Sequence, residues 1–149
     1  MNDKKKLTAK KYLQQLEILD IQINQDIERS SEMRENAIGT NGIDYSRDRV
    51  QTSPVGDKLC KDVTNYVAHD SYVDTEIDRF VDAKEQIIKE IRGLHDKDYI
   101  QVLFKVYVQF KSLKVTAREM KRSYNYVLDI HKKALQAFEE TYPNLTYLC

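Results

Sequence analysis

The stretch SLKVTAREMKRSYNYVLDIHKKAL, Ser112 to Leu135, reads as two short helices around a tight turn, the pattern of a helix-turn-helix. Val115, Ala117 and Met120 supply one small apolar stripe. Ser123 is placed to cap a second helix, and Val127, Ile130, Ala134 and Leu135 continue at helical spacing. The second helix therefore has a packed face and a free face. On the free face lie Tyr124, Asn125, Leu128, Asp129 and Lys132, with Lys114, Arg118, Lys121, Arg122 and Lys133 around it. Side chains of these types meet base edges and phosphates, so the stretch predicts sequence-specific binding to double-stranded DNA. Ser123, Tyr124, Asn125, Leu128, Asp129 and Lys132 are the expected base-reading residues. Lys114, Arg118, Lys121, Arg122 and Lys133 are the expected phosphate contacts. Asn125 suits adenine, and Tyr124 and Leu128 suit a thymine methyl. Asp129 has two readings, acceptor for a cytosine amine or internal partner of Lys132 or Lys133 at helical spacing, and the internal pair is favoured.

The whole chain carries 24 basic and 24 acidic residues, a formal net charge of zero that hides an uneven distribution. From Asp57 to Arg92 nine acids stand against six bases, a net of minus three. From Lys105 to Lys133 eight bases stand against two acids, Glu119 and Asp129, a net of plus six. A basic module on a neutral-to-acidic body is what attraction to a phosphate backbone requires, and the body need not touch DNA.

Upstream of that module the chain predicts an all-α fold. Its first 93 residues read as a long, coiled-coil-like antiparallel hairpin, and residues 94–149 as a small three-helix helix-turn-helix domain with a short tail. The first helix is expected from Leu7 or Thr8 to Ala37, because Ala9, Tyr12, Leu16, Leu19, Ile23, Ile27, Ser30, Met33 and Ala37 recur at spacings near three and four. Asn41-Gly42 and Ser53-Pro54 mark a loop over about 38–56. A second long helix is expected from Asp57 to Gly93, with the glycine as a cap at positive φ, and with Asp70 and Lys84 interrupting its apolar stripe. A two-helix hairpin has little core of its own, so a homodimer that covers both stripes is expected. Asp96 or Asp98 is placed to cap a third helix carrying Tyr99, Val102, Leu103, Val106, Tyr107 and Phe110. After Phe138 the tail is broken by Pro143, and its Tyr142, Leu145, Tyr147 and Leu148 either dock on a neighbour or stay loose; the sequence leaves both open.

Other function classes find little support. No apolar run approaches the roughly 18 to 20 residues of a membrane span, and the N-terminus lacks the apolar core of a secretory signal, so a cytoplasmic protein without a membrane partner is expected. Cys60 and Cys149 lack metal-site spacing and read as free thiols. His69-Asp70 and His95-Asp96 suggest a metal hydrolase only weakly, since His131 is the one histidine left to complete a site. Tyr66, Tyr72, Tyr99 and Tyr107 read as core or interface aromatics. Glycine-rich phosphate loops and nucleophile elbows are missing. No enzymatic activity, cofactor, metal or small-molecule substrate is expected. The alternative to DNA binding is a helical protein-interaction module, such as an adaptor for RNA polymerase, with a degenerate helix-turn-helix.

The segment also resembles region four of bacterial primary sigma factors, through Ser123, the aliphatic pair Val127 and Ile130, and Lys133-Ala134-Leu135. The whole layout, a hairpin with an Arg-Val-Gln-Thr-Ser stretch at Arg49 to Ser53 followed by this unit, is similar to phage-encoded transcriptional regulators of the RinA/ArpU-like type. The resemblance implies a phage or prophage late-gene activator working in a bacterial host, and places Tyr124, Asn125, Leu128 and Asp129 at DNA-facing positions. Two positions depart from it. The turn carries Lys121-Arg122 where that pattern has glycine and an aromatic, which predicts a non-glycine residue in a strained conformation, and Thr116 replaces an aliphatic residue.

Overall fold

Helix follows from this sequence because apolar residues recur at three and four over long runs free of glycine and proline, and caps stand where those runs begin. The computed structural model describes residues 6–38 and 55–148, and among these every regular element is helical. The expected loop, including Asn41-Gly42, Arg49 to Ser53 and Pro54, lies outside the described residues, as does Cys149. In order, the elements are α1 (Ala9–Leu13), α2 (Gln15–Ile38), α3 (Val55–Arg92), α4 (Lys97–Leu103) running into a π-helical turn (Phe104–Val108), α5 (Leu113–Met120) and α6 (Tyr124–Thr141). No helix among the described residues is long and apolar enough to cross a membrane.

The chain divides into two compact units. One unit is Ile21–Asp78; the other joins Met1–Asp20 to Arg79–Cys149. The reason is the position of the large side chains. Leu13, Leu16, Ile87, Ile91, Leu103, Ala134 and Phe138 are all buried in one cluster, so the ends of the two long helices belong to the core of the C-terminal helices. Within the other unit, α2 and α3 run antiparallel, with Ile23, Ala37 and Val73 buried. Ser30 is hydrogen-bonded there to the ring of His69. Asp70, on the stripe where an apolar residue was expected, pairs with Arg34 at 3.1 Å, and the Arg34 guanidinium lies 5.8 Å from the Tyr66 ring centre.

The expected first helix is interrupted at Gln14, between α1 and α2. Gln15 is bonded next to the break: its buried amide donates from Nε2 to the Tyr12 carbonyl (2.8 Å), and its Oε1 accepts the Leu148 N–H (2.9 Å). Through the second bond the tail is docked. Leu145 is buried, its carbonyl accepts the Leu7 N–H (3.3 Å), and the Tyr142 hydroxyl donates to the Glu90 carbonyl (2.9 Å). Tyr147 alone of the tail aromatics points to solvent.

The third helix is capped by Asp96, whose carboxylate accepts from the amides of Asp98 and Tyr99. It then widens. The Gln109 N–H reaches back five residues to Phe104 and the Lys111 N–H six residues to Lys105, and the chain leaves the turn through Phe110 at φ 57°.

Gly93 follows the end of α3, but positive φ falls two residues later, at His95 (φ 56°). What Gly93 provides is space, since a Cβ there would collide with the Tyr142 hydroxyl. Gly93→Ala should therefore break the Tyr142–Glu90 bond and lower stability by about 1–2 kcal/mol. In thermal melts, adding Gly93→Ala to Tyr142→Phe should cost clearly less than the sum of the two single changes.

Candidate nucleic-acid interface

Two serine caps and one left-handed residue shape the helix-turn-helix. The Ser112 Oγ accepts the Val115 N–H and the Ser123 Oγ accepts the Tyr126 N–H, each at 3.2 Å, which fixes where α5 and α6 begin. Between them Lys121 takes φ 55° and ψ 43°, as the missing glycine predicts. Its N–H bonds to the Arg118 carbonyl and that of Arg122 to the Ala117 carbonyl, the paired bonds of a Schellman motif. Ser123 thus acts as a cap through its side chain, whatever else it contacts.

Under the turn lies a small core of Val102, Ala117 and Val127, with Val106, Leu113, Met120 and Ile130 packed on it. The stripe on α5 differs from expectation by one position. Thr116 is fully buried and Val115 only partly so. Thr116 is accommodated because its hydroxyl donates to the Ser112 carbonyl at 2.9 Å, leaving no polar atom unpaired.

Val127 is fully buried, and that sets which side of α6 faces outward. Tyr124 (44% exposed) and Asn125 are exposed at the start of the helix, Asp129 and Lys132 follow on the outer face, and Leu128 is half-buried on its flank. Gln136, exposed and four residues beyond Lys132, continues the same row; the spacing alone could have identified it. Tyr126 was also missed. Its ring carries the Arg122 guanidinium 5.3 Å from the ring centre and its hydroxyl donates to Asp98 at 3.0 Å, a bond that holds the phenol proton more tightly than usual. No periodicity signals a tyrosine that orients an arginine across a turn.

Charge on this surface is partly neutralised from within. Lys105 and Lys111 both bond the Glu119 carboxylate at 2.8 Å, and these bonds, from Lys105 first, hold Glu119 below the usual carboxylate range. Asp129 pairs with Lys133 at 3.0 Å, the internal pairing favoured from sequence, and both side chains stay more than half exposed. Lys114, Arg118, Lys121 and Lys132 make no ion pair among the described residues. They are exposed cations free to meet phosphate.

On the flank of α6 the half-buried His131 stacks on Tyr107, ring centres 5.6 Å apart, with the Tyr107 Oη 2.7 Å from the His131 Nε2. Burial pushes the Tyr107 phenol up to about 12. Burial, and then the charge of Lys10, holds His131 below its ordinary value of 6.5. Among the described residues no group of His, Cys, Asp and Glu side chains is arranged to hold a metal ion. No family model matches the chain, and no curated protein or solved structure matches it.

Lys121→Gly should relieve the left-handed strain and raise stability by up to about 1 kcal/mol, read as a higher melting temperature. His131 generates a pH prediction. The unfolded chain takes up this proton near 6.5 and the fold resists it, so the His131 contribution is complete above that pH and is lost as pH falls below it. Melting temperatures between about pH 7 and pH 5 should therefore fall less steeply in His131→Phe than in the parent protein.

Proposed function

We propose that this protein is a sequence-specific DNA-binding transcriptional regulator in which α6 is the recognition helix. The observation that carries the reading is the outward row of Tyr124, Asn125 and Lys132, set by the buried Val127 and flanked by Lys114, Arg118 and Lys121, which make no ion pair among the described residues. A row that combines hydrogen-bonding, apolar and cationic side chains on a helix supported by two others has the chemistry of major-groove recognition. The likeness of Ser112 to Leu135 to sigma region four, and of the layout to RinA/ArpU-like regulators, supports the narrower reading of a phage late-gene activator with RNA polymerase as second partner.

A homodimer joined through residues 21–78 completes the proposal. Ile27, Val63 and Val67 are between 36% and 51% exposed there, and a groove of about 390 Å³ runs between α2 and α3 past Ile27, Val73 and Ile77. Two such faces brought together form the four-helix arrangement that a lone hairpin lacks, and set the spacing of two half-sites.

Duplex binding measured against salt tests the first claim. Arg118→Ala with Lys132→Ala should weaken binding to every duplex and reduce the salt slope by about two. Asn125→Ala should instead level the preference among sequences, by about 1–3 kcal/mol at one base pair. Retention of duplex that neither set of changes alters would contradict the reading. In sedimentation equilibrium, Ile27→Asp should convert a dimer to a monomer; a parent protein that is already monomeric would contradict the dimer.

A further inference from the structure

Beside α6 is a cleft of about 400 Å³ that brings Lys10 of α1 together with Lys111, Ser112 and His131. Glu17 also lines it, so two cations face one carboxylate there, and Lys111 shares its charge with Glu119. We propose that this cleft seats a backbone phosphate of the same duplex that α6 reads, making α1 a second DNA-contacting element. The inference rests on the DNA-binding reading.

Three observations carry it. First, α1 is fixed to α6. The Ala9 N–H donates to the Glu139 carboxylate at 2.8 Å, Tyr12 packs 5.8 Å from the Phe138 ring, and Ala9, Tyr12 and Leu13 are buried while Lys10 and Lys11 are exposed. A lysine on so firmly held a helix reaches its target with little loss of freedom. Second, the described chain next to the cleft is basic: residues 6–11 hold three lysines, Lys6, Lys10 and Lys11, and no acid. Third, Lys10 lies near enough to His131 for its charge to disfavour the imidazolium. A phosphate between them removes that repulsion, and the same anion accepts from the Lys10 and Lys111 ammonium groups and the Ser112 hydroxyl. The titratable groups around the cleft are Lys10, Glu17, Tyr107, Lys111 and His131.

The test is duplex affinity against salt concentration for the parent protein, Lys10→Gln and Lys10→Arg, with His131 ring resonances followed during the titration. Lys10→Gln should reduce the salt slope by about one and leave the order of sequence preference unchanged, and Lys10→Arg should restore the slope. Duplex should move the His131 resonances toward the protonated form. An unchanged slope in Lys10→Gln, with the parent protein still binding, overturns the phosphate seat and leaves the role of α6 standing. No duplex binding by the parent protein overturns both. Inorganic phosphate that shifts His131 as strongly as duplex does, with Lys10→Gln leaving the slope unchanged, overturns the assignment to DNA and gives the cleft to a free anion.

Discussion

The burial of Val127 against Ala117 and Val102 is the constraint on which the candidate interface depends. In a helix each residue is turned about 100° from the last, so one side chain driven fully out of water fixes the rotation of every other. With Val127 inside, Asn125, Asp129, Lys132 and Gln136 have only the outward direction left. The same helix is held at its far end by Ala134 and Phe138, which belong to the larger cluster with Leu13, Leu16, Ile87 and Ile91. One helix shared between two cores gives the outer row a stiffness that three short helices alone would not supply. For a surface proposed to match a groove, that stiffness limits the freedom lost on binding.

Electrostatics on this face divide into internal and available charge. Glu119 engages Lys105 and Lys111, and Asp129 engages Lys133, so three of the eight bases between 105 and 133 are satisfied within the molecule. What remains clusters at the turn and on the outer face of the helix-turn-helix: Lys114, Arg118, Lys121, Arg122 and Lys132. Arg122 is steadied by Tyr126, which Asp98 holds from α4. The turn accepts a left-handed lysine in a place where glycine would be free of strain, and that lysine adds one more cation beside the proposed DNA path.

Much of this was legible in the sequence because it rests on local periodicity and capping. The helical class, Ser123 as a cap, Asp96 as one of two candidate caps of α4, the strained turn at Lys121–Arg122 and the Asp129 pair all follow from residues within a few positions of one another. Long-range pairings were not legible. Gln15 ties the N-terminal helices to Leu148, Tyr142 requires Gly93 to be small, and the Leu145 carbonyl bonds the Leu7 N–H, none of which a single segment encodes. For the same reason the packing of Leu13, Leu16, Ile87 and Ile91 with Phe138 was not legible. At the candidate interface, Tyr126 escaped notice because its role depends on Asp98, 28 residues away.

The most direct measurement of the central claim is selection from a pool of random duplexes by the full-length protein, followed by sequencing of what is retained. The account predicts enrichment of a recurring word, repeated in two half-sites at fixed spacing, from a pool bound at modest salt. Retention of duplexes with no common word, or of none at all, would contradict the claim that the outward face of α6 reads DNA sequence.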